Sequence, residues 1–137
     1  YMPVSIFDVL SKAAELANKD AEVQKEMAGA DGDKVCFRFT DDVPVTMITD
    51  KGKIVIEPKE RPDSHVVMEI SAIPLCDTID KTLELIALQT KGKLVKGEVA
   101  DVIDHIFALI PFFKAMVRYY SENPGFKKMV DERKSRK

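Results

Sequence analysis

Few residues in this chain have types and spacings that could do covalent chemistry. Asp63, Ser64 and His65 follow one another, and those side chains are the parts of an acyl-transfer triad. A triad needs its members to converge from separate elements, so three consecutive loop residues do not make one. Cys36 and Cys76 are the two thiols. Cys76 falls near an expected helix start, where the dipole could favour a thiolate, but no base accompanies it in the sequence. Glu98, Asp101, Asp104 and His105 form the densest group of potential metal ligands, and Asp101 and His105 share a helix face at i, i+4 spacing. Zinc needs three or four converging N, S or O donors, whereas acidic residues near a helix N-terminus are favourable with no ion at all. The loop from Gly29 to Gly32 lacks either glycine pattern that cradles phosphate. No metal, cofactor or catalytic residue is therefore expected. An enzyme acting on acyl thioesters would have to draw on Cys76 or His105, and neither has a matched partner in the sequence.

Composition narrows the classes further. The chain has 137 residues, 45% of them hydrophobic and 32% charged, which fits one globular domain. Its net charge of -2 offers no field for nucleic acid. The aromatic residues are mostly Phe within apolar runs, unlike a base-stacking platform among basic residues. Two cysteines without a CxxC pair read as reduced thiols in an intracellular protein. No signal-peptide pattern opens the chain and no apolar run reaches the length of a membrane span, so a cytoplasmic location is expected.

The elements can be read from spacing. Ser5 and Asp8 fit a capping box, and Ile6, Val9, Leu10, Ala13, Leu16 and Ala17, with Val23 and Met27, predict an amphipathic helix over about residues 6 to 28. Four short strands follow. Val35, Phe37 and Phe39 alternate on the first, Val45 and Met47 on the second, Ile54 and Ile56 on the third, and Val66, Met68 and Ile70 on the fourth. Asp50-Lys51-Gly52 suits a hairpin turn. A second helix is expected from Pro74 to about Gln89. Lys91 to Glu98 then reads as a fifth strand held between Gly92 and Gly97. A very apolar helix from about Glu98 to Tyr120 follows, stopped by Asn123-Pro124-Gly125. Consecutive strands with tight turns favour a mostly antiparallel sheet with helices on one face, an α+β fold.

On a helical wheel that last helix has a surplus of apolar surface. Val99, Val102, Ile103, Ile106, Phe107, Leu109, Ile110, Phe113, Met116 and Val117 spread over half the circumference, and Phe112 and Tyr119 widen the arc. A helix resting on a sheet needs an apolar stripe only somewhat above ~100° wide. The surplus is open to three readings: plain core, the wall of a cavity for an apolar ligand, or a homodimer face. Pro111 inside the helix would bend it and could hold it off the sheet.

The stretch Lys91-Gly92-Lys93-Leu94-Val95-Lys96-Gly97-Glu98, feeding an apolar helix, resembles the end of the sterol carrier protein 2-like (SCP2-like) lipid-transfer domain. That family ends in a Gly-Lys-Leu-x-x-Lys-Gly type of strand; here the second glycine arrives about one residue early. The order helix, four strands, helix, strand, helix is the order of its parts. The resemblance implies a five-stranded, mostly antiparallel sheet with helices on one face. The resemblance spans roughly Ile6 to Tyr120; the chain is read as one lipid-binding domain over residues 1–126, with 127–137 as a basic C-terminal tail that the family does not assign. The resemblance also implies noncovalent binding and transfer of a fatty acyl chain, acyl-CoA or sterol-like molecule in a tunnel between the sheet and the C-terminal helix.

The tunnel wall expected on this basis is Met47 from the sheet with Leu94, Ile106, Leu109, Ile110, Phe113, Met116 and Val117. A roughly sixteen-carbon chain would gain on the order of 10 kcal/mol gross on burial, much of it returned as ordering cost. The alternative is a homodimeric interaction module in which the same helix meets a second copy and no ligand is needed. Within 127–137, six Lys or Arg face two acidic residues, which suits transient contact with an anionic membrane surface. The ending Ser135-Arg136-Lys137 is not the Ser-Lys-Leu peroxisomal address.

Overall fold

Ser5 opens the first helix as its sequence requires. Its Oγ accepts from Asp8 N at 3.1 Å while the Asp8 carboxylate accepts from Ser5 N at 2.9 Å, a complete capping box. In this computed structural model, which describes residues 3–136, α1 (Ile6–Ala17) buries Ile6, Val9, Leu10 and Ala13. The helix expected to run to residue 28 stops at Asn18. The Asn18 amide instead brackets Ile54, accepting from its N–H at 2.8 Å and donating to its carbonyl at 2.9 Å. An amide that satisfies a strand edge leaves the helix axis, and Asp20 restarts it by capping α2 (Ala21–Met27).

The sheet comprises β1 (Lys34–Phe39), β2 (Val45–Asp50), β3 (Lys53–Glu57), β4 (Val66–Ile70) and β5 (Lys93–Lys96), in the order β3-β2-β1-β4-β5. Only β1 and β4 run parallel; the other three pairings are antiparallel. The fold is thus the expected α+β arrangement with a mostly antiparallel five-stranded sheet. Period-two alternation turns Val35, Phe37 and Phe39 toward the helices, level with Met47, Val45, Met68 and Ile70 on the adjoining strands. On the opposite face Cys36, Thr46 and Val67 are also buried. The β3–β4 loop comes over them, and Thr46 Oγ1 donates to Lys59 O at 2.7 Å.

The second expected helix is also shorter. α3 (Ala72–Ile79) ends where Asp80 bonds Thr82 N and Lys81 takes φ +69, and Leu85–Lys91 winds as a tight 3₁₀ stretch. β5 pairs with β4 through Met68↔Leu94 and Glu69↔Lys93, then slips one residue to Val67↔Lys96, which leaves Val95 as a bulge. Gly97 follows at φ +103, where an added Cβ would sit 3.3 Å from His65 O.

The largest departure lies beyond Gly97. The sequence predicts one continuous helix from Glu98 to Tyr120, with Pro111 as an internal kink. The chain instead makes a single turn, α4 (Val99–Asp101), a wide π-type turn over Val102–Ile106 and a 3₁₀ turn over Phe107–Leu109. The regular helix α5 (Ile110–Glu122) starts only at the proline. Pro111 occupies the first turn, where a missing N–H has no intrahelical partner to lose.

Asn123 ends α5 and caps α6 (Pro124–Ser135), its side chain accepting from Phe126 N at 2.9 Å. The basic tail expected at 127–137 is therefore mostly a helix; its last residue, Lys137, lies outside the described residues. Phe126, Val130 and Arg133 of α6 are buried. Arg133 Nε bonds Asp42 Oδ2 at 2.7 Å, and Asp42 also accepts from Ile6 N, while the adjacent Asp41 accepts from Ala72 N. One buried guanidinium thereby fixes the starts of α1 and α3. Lys127, Lys134 and Arg136 pair with Asp131, Asp80 and Asp42.

Candidate functional site

A cavity of about 330 Å³ lies between the helix-facing side of the sheet and the segments around α5. Its floor is Phe37 of β1 and Met68 of β4, which are direct register partners. One wall is Leu85, Ile86 and Leu88 from the 3₁₀ stretch. The other is Ile106, Phe107, Ile110 and Phe113. The only polar residues in the lining are Glu84, Gln89 and Lys114. Ile86 is 74% exposed and Phe107 37% exposed, so both line the cavity and reach solvent at its mouth. A second cavity of about 390 Å³ adjoins the first through Glu84, Leu85, Phe113 and Lys114 and adds Thr78, Lys81, Leu83 and Val117. It is the more polar of the two, with Lys81 and Lys114 both in its wall.

The residues expected to form a tunnel wall separate into two groups. Ile106, Ile110 and Phe113 line the first cavity and Val117 the second. Leu109 and Met116 are buried in the core beneath α5, Met47 is buried on β2, and Leu94 is half-buried opposite Met68; none of these four is on either lining. Sequence reasoning missed Phe37, Leu85, Ile86, Leu88 and Phe107. Strand alternation already turned Phe37 and Met68 inward. What the sequence lacked was the register that sets them side by side. Leu85-Ile86-Ala87-Leu88 is apolar all round, a pattern that a one-stripe helix does not need.

The thiols are buried and free. Burial pushes the Cys76 thiol up to about 12 and also raises that of Cys36, so neither forms a thiolate near neutral pH. Asp63 accepts from Nε and Nη2 along one edge of the Arg61 guanidinium at 2.9 and 3.1 Å, which holds its carboxyl at about 2, and Ser64 Oγ is buried without a partner. The Asp63-Ser64-His65 run is therefore no triad. Asp101 caps Glu98 N at 2.8 Å instead of meeting His105. His105 Nδ1 lies 2.9 Å from Asp33 Oδ1, and its ring stacks on His65 with centroids 4.3 Å apart and planes 12° from parallel. His65 Nδ1 accepts from Lys34 N at 3.1 Å.

Among the described residues, no helix is long and apolar enough to cross a membrane. No family model and no curated protein matches the sequence. Solved structures do match. A crystal structure of sterol carrier protein 2 superposes with a TM-score of 0.58 at 14% identity, covering 80% of this chain and 93% of that one. The solution structure of a conserved Thermus thermophilus protein, described as a possible sterol carrier protein, gives 0.56 at 18% identity, covering 77% and 82%. A UbiJ-SCP2 ubiquinone synthesis protein gives 0.56 at 9% identity, covering 77% and 90%. At these identities the likeness is one of fold, and the fold is SCP2-like.

Proposed function

We propose that this protein binds an apolar lipid noncovalently and carries it, with the tail in the cavity over Phe37 and Met68 and the polar end near Lys114. The observation that carries the reading is the cavity itself, apolar but for Glu84, Gln89 and Lys114. Similarity to structures described as sterol carrier proteins supports it. At roughly 30 Å³ per heavy atom, the share of a water molecule in the liquid, the first cavity holds on the order of ten carbons. A longer acyl chain would continue into the adjoining cavity, where Lys81 and Lys114 favour an anionic end. Burial at ~0.8 kcal/mol per methylene, less ordering costs, supports micromolar binding. Single-chain acyl ligands fit this volume better than a rigid sterol does.

The work of such a carrier is sequestration, with no bond made or broken. A homodimer is the weaker reading. Phe112, Phe113, Met116 and Tyr119 of α5 are already buried within one chain, which leaves the exposed Val99, Ile103 and Phe107 of the preceding turns as the surface a second copy would have to cover.

Organic extraction and mass spectrometry of the purified protein, followed by titration of the stripped protein with dodecanoate and hexadecanoate, tests the proposal. A co-purifying acyl lipid and saturable uptake are expected. A protein that carries nothing and takes up neither acid overturns it.

A further inference from the structure

We propose that Asp33, His65 and His105 form a binding site for a divalent transition cation of the zinc type, apart from the lipid cavity. The chain has two histidines, and both are here. The three residues are far apart in sequence and come from separate segments. Asp33 precedes β1, His65 precedes β4 and His105 lies in the wide turn after α4. Each offers a ligand atom, and these atoms all lie within 4.8 Å of one another. Two imidazoles and one carboxylate suit zinc and its neighbours in the transition series, whereas calcium and magnesium want oxygen throughout.

Little has to move. Ligand atoms on one tetrahedral zinc sit about 3.3 Å apart, given bonds of about 2.0–2.1 Å. His105 Nδ1 and Asp33 Oδ1 at 2.9 Å need to open by only a few tenths of an ångström, with the ion replacing the shared proton. His65 must do more. An imidazole lone pair lies in its ring plane, and one ion cannot lie in two stacked, near-parallel planes, so the His65 ring has to tilt out of the stack. It is exposed and free to do so. The bond that it gives up, from Lys34 N–H to its Nδ1, is also exposed, so water can replace it at a cost of about 1 kcal/mol. Accepting from Lys34 through Nδ1 puts the proton of neutral His65 on Nε2. Ligation through Nε2 therefore shifts that proton. Water completes the coordination from the solvent side. An ion held here fastens the turn leading to Ile106 and Phe107 onto the starts of the two strands that carry Phe37 and Met68.

The experiment uses tag-free protein stripped with a chelator. It is titrated with Zn²⁺ by calorimetry and with Co²⁺ by visible absorption, while ¹⁵N resonances of the histidine rings are followed. One equivalent is expected to bind. Both imidazoles should shift, and the ring proton of His65 should leave Nε2. His65→Ala and His105→Ala should each weaken binding by about a hundredfold or more, beyond what loss of an outer-sphere partner does. Asp33→Asn keeps the shape and should weaken it too. Absence of saturable binding, ring resonances that do not respond to the metal, or a site that survives both histidine substitutions would show an ordinary stacked pair and overturn the proposal. If a histidine variant does not fold, the ring resonances of the unmodified protein decide alone.

Discussion

Residues 98–109 and 110–122 are about equally apolar in sequence, yet the fold treats them in opposite ways. From Ile110 on, the chain is a regular helix whose Phe112, Phe113 and Met116 are almost completely buried. Before it, Val99, Ile103 and Phe107 stand 73%, 53% and 37% exposed on irregular turns. What differs is the company. α5 packs against α1, α2, α3 and α6, whereas the turn over Val102–Ile106 packs mainly against the strands β1 and β4, the residues that lead into them and its neighbouring turns. Apolar girth alone does not distinguish a core helix from a cavity rim; the number of layers placed against it does. The sharpest way to break this comparison is Phe112→Ala. Emptying that site should cost about 3–5 kcal/mol in chemical denaturation. A loss below about 1 kcal/mol would put α5 outside the core.

Ile110 stands at the junction, half-buried and on the cavity lining. Ile110→Glu should leave a folded protein and abolish lipid uptake, on the order of a hundredfold, because a carboxylate in an apolar chamber meets no partner. Uptake of a fluorescent fatty acid, read beside a circular dichroism spectrum, checks it. Undiminished uptake in a folded variant would remove the start of α5 from the site.

Much of this arrangement was legible in the sequence. The capping box at Ser5, the strand alternation, the hairpin at Lys51-Gly52, the stop at Asn123 and the α+β class all follow from local patterns, and the SCP2-like form of that class from the family resemblance of Lys91–Glu98 and the order of elements. Three helices are shorter than their patterns predict, each for a physical reason that a pattern does not carry. Asn18 leaves its helix for Ile54, Asp80 turns toward Lys134 of α6, and Pro111 starts a helix instead of bending one. Of the site, the α5 face was legible because i, i+4 and i+7 spacing survives folding. The rest of the floor and the far wall were not, because Phe37 and Leu85 meet the cavity only through strand register and a 3₁₀ path. His65 and His105, 40 positions apart, meet for the same reason and were equally invisible.

The regular half also has an electrostatic anchor of its own. Asp20 Oδ2 lies 2.6 Å from Arg118 Nη2 and accepts from Tyr119 OH at 2.8 Å, binding the start of α2 to α5. The Arg118 hydrogen bond, then that of Tyr119, holds the Asp20 carboxyl at about 2, below the ordinary carboxylate value. A depressed folded value means that the stabilisation is complete above the unfolded value, near 4. It is lost as pH falls through about 2. Asp20→Asn should cost about 1 kcal/mol at neutral pH and flatten the acid limb of the stability curve between pH 4 and 2. An unchanged acid limb would mean that the anchor holds nothing.

The smallest effect is the most discriminating. Phe107→Ala removes an aromatic ring of the same type as Phe112, only five positions earlier. Because Phe107 is exposed at the cavity mouth and rests on an irregular turn, denaturation should register a change within about 0.5 kcal/mol. It nevertheless lines the cavity and is partly exposed, as Ile86 is, so on the proposed lipid path its loss should speed both uptake and release of a fatty acid while leaving the equilibrium affinity within a few-fold. Stopped-flow transfer to vesicles measures the rates and titration measures the affinity. If stability falls as far as in Phe112→Ala, the two halves are one core and the rim is an illusion of exposure. If neither rate moves, Phe107 stands beside the lipid's path and not across it, and the mouth must lie at the Lys114 end of the cavity.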